Sequence, residues 1–110
     1  MTRIRGGASA VAVLALAPGL AGACGRRPKT ETVTIAAVAF HPGSVTAAVG
    51  DTLVFRNDDP VPHTATANGG AFDSGDLQPD GTWRWVPKAP GRIPYHCTYH
   101  PNMTGVIVVR

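Results

Sequence analysis

Cysteine is scarce in this chain of 110 residues: there are two, Cys24 and Cys97. Two thiols are too few for the ordinary four-cysteine iron–sulfur cluster. Methionine is as scarce, with Met103 the only one beyond the initiator. No segment carries a helical period, and 10 prolines with 13 glycines suit a fold with many turns. The longest apolar stretch, Ala8 to Leu20, is broken by Ser9, Pro18 and Gly19 and falls short of the roughly 20 residues a spanning helix needs. The net charge of +3 is misleading, because Arg3 and Arg5 lie near the start and Arg26, Arg27 and Lys29 in one short stretch. From Glu31 onward 5 Lys/Arg face 7 Asp/Glu, so the body is slightly acidic and nothing favours nucleic-acid binding.

The first 23 residues read as an address. Arg3 and Arg5 give a positive start, the small apolar run follows, and Ala21-Gly22-Ala23 supplies a cleavage site. Arg3-Ile4-Arg5 is not a twin-arginine pair, so export before folding is expected. Cleavage after Ala23 makes Cys24 the new N-terminus. The stretch Leu20-Ala21-Gly22-Ala23-Cys24 resembles a bacterial lipoprotein box, with the leucine four residues before the cysteine where three is usual. Lipidation of Cys24 and tethering to the outer face of the cytoplasmic membrane, or release into the periplasm after ordinary cleavage, are the two expectations. A disulfide from Cys24 to Cys97 is the third reading. Residues 24–30 then form a lipidated cysteine and linker that reaches at most about 20 Å, whose three cations are placed to touch anionic headgroups or simply to be solvated. Residues 31–110 form the one domain that a chain of this length allows.

Within that domain, short β-type segments alternate with turn signals, which predicts an all-β sandwich. The candidates are residues 32–38, 45–49, 52–56, 63–67, 82–86, 93–97 and 106–109, separated by turns such as Gly50-Asp51, Asn57-Asp58-Asp59-Pro60, Asn68-Gly69-Gly70 and Pro79-Asp80-Gly81. A body this small has a modest core, to which a bound metal would add stability.

The chemistry concentrates near the end. Cys97, His100 and Met103 follow one another at intervals of three, and His63 lies 34 residues before Cys97, entering a strand behind the rigid Pro62. Taken alone, a cysteine reads as a small hydrophobe, a methionine as core filler and a loop histidine as solvated. Together they are a thiolate, two imidazoles and a thioether, the donor set of a copper electron-transfer site. Zinc does not favour a thioether. A set that leaves no open position for substrate argues for electron transfer over catalysis, and hence for a protein that is not an enzyme.

Residues 31–110 resemble the cupredoxins, the small blue copper proteins, and within them the amicyanin and plastocyanin group. The matching pieces are Phe40-His41-Pro42, Val49-Gly50-Asp51-Thr52-Leu53, Asn57-Asp58-Asp59, Pro62-His63-Thr64, Phe72-Asp73-Ser74-Gly75, Pro90-Gly91 and Tyr95-His96-Cys97-Thr98-Tyr99-His100-Pro101-Asn102-Met103. The short gap from His100 to Met103 is that of the amicyanin-like proteins. The resemblance implies an eight-stranded Greek-key sandwich, a monomer, with one copper held at one end by His63, Cys97, His100 and Met103. It also implies that Asn57 ties the two ligand loops together, with Thr98 as its hydrogen-bond partner or as a donor near the thiolate; an ordinary turn at Asn57 is the other reading. Trp83 and Trp85 stand where phenylalanine is common, with Trp85 expected in the core, and Tyr99 is expected to cover the ligand loop.

His96, beside Cys97 in a strand, points to the opposite face and is read as structural; His41 has no partner the sequence identifies. In the family the second loop histidine, here His100, is the electron exit, and Val61, Pro62, Pro101 and Ala71 are candidates for an apolar patch around it. The implied partner is another redox protein: a dehydrogenase, a cytochrome or an oxidase. A copper-delivery protein that holds the metal without passing electrons is the competing class, although delivery sites tend to be open and rich in methionine and histidine.

Overall fold

Runs of β-branched and aromatic residues alternate with polar ones, and each run becomes a strand with one face turned inward. The computed structural model describes residues 26–110; the expected leader, residues 1–23, and Cys24 lie outside the described residues. The strands are β1 Thr30–Ala36, β2 Ala39–His41, β3 Ser44–Ala47, β4 Thr52–Asn57, β5 Thr66–Ala67, β6 Thr82–Trp85, β7 Gly91–Cys97 and β8 His100–Val109. They form two four-stranded sheets, ordered β2-β1-β4-β6 and β3-β8-β7-β5, and no helix occurs among the described residues. The expected all-β architecture of about eight strands is the one the chain adopts. Each sheet holds one parallel pair, β1 with β4 and β3 with β8.

The core lies between the sheets. Val33, Ile35, Leu53 and Phe55 from one sheet meet Tyr95, Cys97 and Ile107 from the other, none more than 1% exposed. Tyr95 sets its edge against Phe40 at 4.6 Å and Phe55 at 5.6 Å, an arrangement aromatic rings prefer. Trp83 and Trp85 are half-buried at the margin of this cluster, so Trp85 flanks the core where a core position was expected. Among the described residues, the eight strands and the buried core fall between Thr30 and Val109, so residues 26–110 carry two packed sheets and a core of their own.

Three departures from the sequence reading bear on the site. β2 is only three residues long, too short for periodicity to reveal. The expected strand 63–67 shrinks to Thr66–Ala67, because the backbone of His63 exchanges hydrogen bonds with Leu77 and that of Ala65 with Ser74. Finally, β8 begins at His100 instead of Val106, so only Thr98-Tyr99 separates it from β7, and a register shift falls between His96 and Cys97.

Asp51 locks the end of the sandwich where the described chain begins. Its carboxylate accepts hydrogen bonds from the Arg26 guanidinium at 2.7 and 3.0 Å and from the amides of Lys29 and Ala48, each at 2.9 Å. The Arg26 guanidinium, then these two amides, hold the carboxyl far below the usual carboxylate range. With the folded value depressed, the stabilisation is whole above the unfolded value of about 3.9 and is lost as pH falls through the folded one. Asp51→Asn is therefore expected to lower the urea midpoint clearly at pH 7, with the gap to wild type closing towards about pH 2. An equal gap at both pH values would refute this.

Candidate metal centre

Cys97 ends β7, His100 opens β8, and His63 is pinned beside them by its bridge to Leu77. The short turn folds His100 back so that its Nδ1 lies 3.7 Å from Cys97 Sγ, and His63 Nδ1 lies at the same 3.7 Å. One donor atom from each of the three residues lies within 4.8 Å of the others. A first-row ion bonded to nitrogen at about 2.0–2.1 Å and to sulfur at about 2.3 Å in a trigonal plane would separate N from S by about 3.8 Å. The three side chains are therefore already spaced to hold such an ion. Cys97 and His63 are fully buried and His100 is half-buried, and Cys97 is a free thiol.

Met103 lies in β8 and is buried, in the alternation that also buries Ile107 and Val109. With His100 it lines a surface depression of about 380 Å³. It thus occupies a strand position, although it lies outside the strand 106–109 expected from the sequence.

The hydrogen bonds around the donors differ from those expected. Asn57 does not reach Thr98. Its Nδ2 donates to Val61 O at 2.8 Å and Leu77 O at 2.9 Å, which uses both of its donors, and its Oδ1 accepts from the Asp59 amide. Asn57 therefore braces the His63 loop against the Leu77 segment. Thr64 supplies the tie to the ligand loop instead. Its Oγ1 accepts from the Thr98 amide at 2.9 Å and lies 3.3 Å from Thr98 Oγ1, while its own amide donates to Cys97 Sγ at 3.3 Å. An amide aimed at sulfur stabilises negative charge there. The position of Thr64 next to His63 was the available signal.

Asp59 is the functional residue that sequence reasoning missed. Its Oδ2 lies 2.8 Å from His63 Nε2. A carboxylate only accepts, so Nε2 carries the proton and the Nδ1 lone pair is left facing Cys97. The same carboxylate accepts the amides of Ala37 at 2.7 Å and Val38 at 2.9 Å. These two residues form the β1–β2 turn with φ of 51° and 55°, a left-handed conformation that costs a non-glycine residue about 1–2 kcal/mol. Burial pushes the Asp59 carboxyl up, but the Val38 amide, the His63 ring and the Ala37 amide outweigh it and hold it below the usual range. In sequence, Asp59 looked like one residue of a turn.

His100 also lines a second depression, of about 260 Å³, with Val61, Pro62 and Tyr99. Val38, Val61 and Tyr99 are three of the five large apolar or aromatic side chains left well exposed among the described residues, and all three border His100. Pro101 belongs to this rim; Ala71 does not, since it lines a different depression beside Trp85. Tyr99 is 54% exposed and donates its hydroxyl to Asp76 at 2.6 Å, which fastens the ligand loop to the 73–77 segment. His96 faces away from Cys97, with Nδ1 2.6 Å from Asn68 Oδ1, and His41 Nε2 lies 3.0 Å from Ala36 O.

Comparison with known proteins agrees with this geometry. The family model of the cupredoxin-like domain matches residues 8–109. Amicyanin-alpha of Methylorubrum extorquens is 32% identical over 104 residues, covering 89% of this chain and 87% of its own length. An amicyanin variant solved with Cu(I) superposes with a TM-score of 0.69 at 26% identity, over 74% of this chain and 82% of its own. A purple cupredoxin from Nitrosopumilus maritimus gives 0.66 at 26% identity, over 72% of this chain and 98% of its own. Because these matches run through both sheets and the end that carries the donors, the chain belongs to the cupredoxin-like family, the small copper proteins of electron transfer, and takes one copper ion.

Proposed function

We propose that this protein is a one-electron carrier whose copper is held by His63, Cys97, His100 and Met103, with Asn57 and Thr98 in the supporting shell. The observation that carries the reading is the trio of donors already at trigonal spacing, with both imidazole Nδ1 atoms 3.7 Å from one buried sulfur. Bound copper supplies a one-electron couple between Cu(II) and Cu(I). The chain's own residues keep that exchange cheap: Asp59 fixes the His63 ring, the Thr64 amide faces the sulfur, and strands hold Cys97 and Met103, so little has to move. Nothing in this arrangement asks for a substrate, and the protein is read as a carrier, not an enzyme.

His100, half-buried among Val38, Val61, Pro62, Tyr99 and Pro101, is the proposed exit for the electron. The partner is a redox protein, a dehydrogenase, cytochrome or oxidase, that docks on this apolar rim. A charge there is expected to disturb docking without touching the donors. Pro62→Glu should slow transfer to a partner about tenfold while leaving the visible spectrum unchanged. An unaltered rate would remove Pro62 from the docking face.

Export and a membrane tether at Cys24 complete the reading. They rest on the basic start, the small apolar run and the cleavage signal, and they place a monomeric domain on the outer side of the cytoplasmic membrane. Mass spectrometry of the membrane fraction, with Cys24→Ala as control, tests the lipid. For the carrier itself, residues 25–110 are expressed, Cu(II) is added, and an intense band near about 600 nm is expected that bleaches on reduction and returns on reoxidation. Tight copper binding without reversible cycling would favour delivery of the metal, and tight zinc binding without colour would sink both.

A further inference from the structure

The described chain is electrically two-ended. Asp58, Asp59, Asp73, Asp76 and Asp80 all lie in segments around the metal centre, where Asp76 holds Tyr99, Asp59 holds His63 and the Asp80 amide bonds Asn57 O. Arg56 is the one cation among them, paired with Asp58 at 2.9 Å, while Arg84, exposed on β6 opposite Val54, lies between the two ends. The opposite end carries Arg26, Arg27, Lys29, Lys88, Arg92 and Arg110, all exposed. Its carboxylates are Glu31 and Asp51, and Asp51 is buried against Arg26.

Topology gathers these cations from distant parts of the sequence. Arg26, Lys29 and Arg110 line one depression at this end, and Lys88 and Arg92 line another beside Trp85. The hydrogen bonds from Gly50 N to Pro87 O and from Val49 N to Arg110 O join the two. Within the same end stand Val49 at 44% and Val86 at 40% exposure, the two large exposed apolar side chains that do not border His100. Cations around exposed apolar side chains are what a bilayer interface takes: the charges meet headgroups and the valines enter the boundary. Arg26, the first described residue, is fixed at this end by its pair with Asp51.

We propose that this basic end, formed by Arg26, Arg27, Lys29, Lys88, Arg92 and Arg110 with Val49 and Val86, rests on an anionic phospholipid bilayer and so turns the His100 rim away from the membrane. The acidic metal end is repelled by the same surface, which reinforces the orientation. The inference is independent of the lipid on Cys24 and of copper. It extends the tether reading, because a leash alone would leave the domain free to tumble.

The test uses residues 25–110, which lack Cys24, with vesicles of phosphatidylglycerol and phosphatidylcholine in equal parts, and with phosphatidylcholine alone. Sedimentation with the anionic vesicles is expected at low salt, falling steeply as salt rises, with little binding to the neutral ones. Each cation near the surface contributes about a fivefold change in partitioning, so Lys88→Gln/Arg92→Gln/Arg110→Gln together should weaken binding by about 100-fold. Asp73→Asn at the other end should leave binding unchanged. Far-ultraviolet circular dichroism checks that each variant folds, so a failure of the copper reading would not disturb this result. Equal binding to both vesicle types, no binding to either, or an unaffected triple variant would overturn the proposal. Capture by the acidic end, seen as tighter binding for Asp73→Asn, would reverse the orientation.

Discussion

Replacing Cys97 by serine is expected to abolish the intense visible absorption completely while leaving a folded protein. The band belongs to the copper–thiolate bond, and Cys97 is the only thiol among the described residues. Serine is nearly isosteric, and its hydroxyl meets the Thr64 amide that now faces sulfur at 3.3 Å, so the buried polar atom finds a partner. The loss of fold stability should therefore stay near about 1 kcal/mol. His63 and His100 remain, and Cu(II) should still bind weakly and without strong colour. The measurement is a copper titration followed in the visible and by circular dichroism. A strong band surviving in Cys97→Ser would show that the sulfur ligand had been misidentified; loss of fold in the metal-free protein would show that Cys97 acts mainly as core.

Gly105→Ala is expected to be the most damaging change that adds a single methyl group. Gly105 pairs with Tyr95 across β7 and β8, and a Cβ there would lie 2.5 Å from the Tyr95 ring carbon Cζ and 2.6 Å from its hydroxyl oxygen. The ring cannot swing aside, since Phe40, Phe55 and Phe72 crowd it at 4.6, 5.6 and 5.8 Å. Overpacking of this kind costs about 2–3 kcal/mol, which for a domain of this size lowers Tm by about 10–20 °C. Differential scanning calorimetry of the metal-free protein reads it directly. A drop of only a degree or two would mean that the Tyr95 ring relaxes and that the strands are less tightly locked than the geometry implies.

The two predictions mark a division between what could and could not be read ahead of the structure. The His63, Cys97 and His100 cluster was legible because its signal is simple: Cys97 and His100 share one short segment with Met103, and Pro62-His63 announces itself beside a strand. The strands were legible from alternation, but where periodicity had too few residues to act on it failed, as at β2, or misplaced the ends, as at β5 and β8. Gly105, just before the expected strand 106–109, carried no signal in the sequence, because the ring that forbids a side chain there comes from residue 95. Trp85 was expected inside and lies at the margin, because Phe55 and Phe72 already fill the centre.

The supporting bonds were the least legible. Asn57 was expected either to join the ligand loops with Thr98 or simply to make a turn. It accepts the Asp59 amide as a turn residue does, Val61 and Leu77 take its donors, and Thr64 does the joining. Asp59 reaches the amides of residues 37 and 38 as well as His63, a connection across 22 residues that no spacing rule describes. By itself, the sequence determined the all-β class and pointed to the His63, Cys97 and His100 cluster that the fold brings together, since alternation and ligand chemistry can be read from residue types and short spacings. Only the tertiary structure decided which side chain hydrogen-bonds which donor, which ring forbids a methyl group, and that scattered cations share one end. Those outcomes depend on which loops and strand ends the sheets bring together, and a hydrogen bond or a steric contact exists only within a few ångströms.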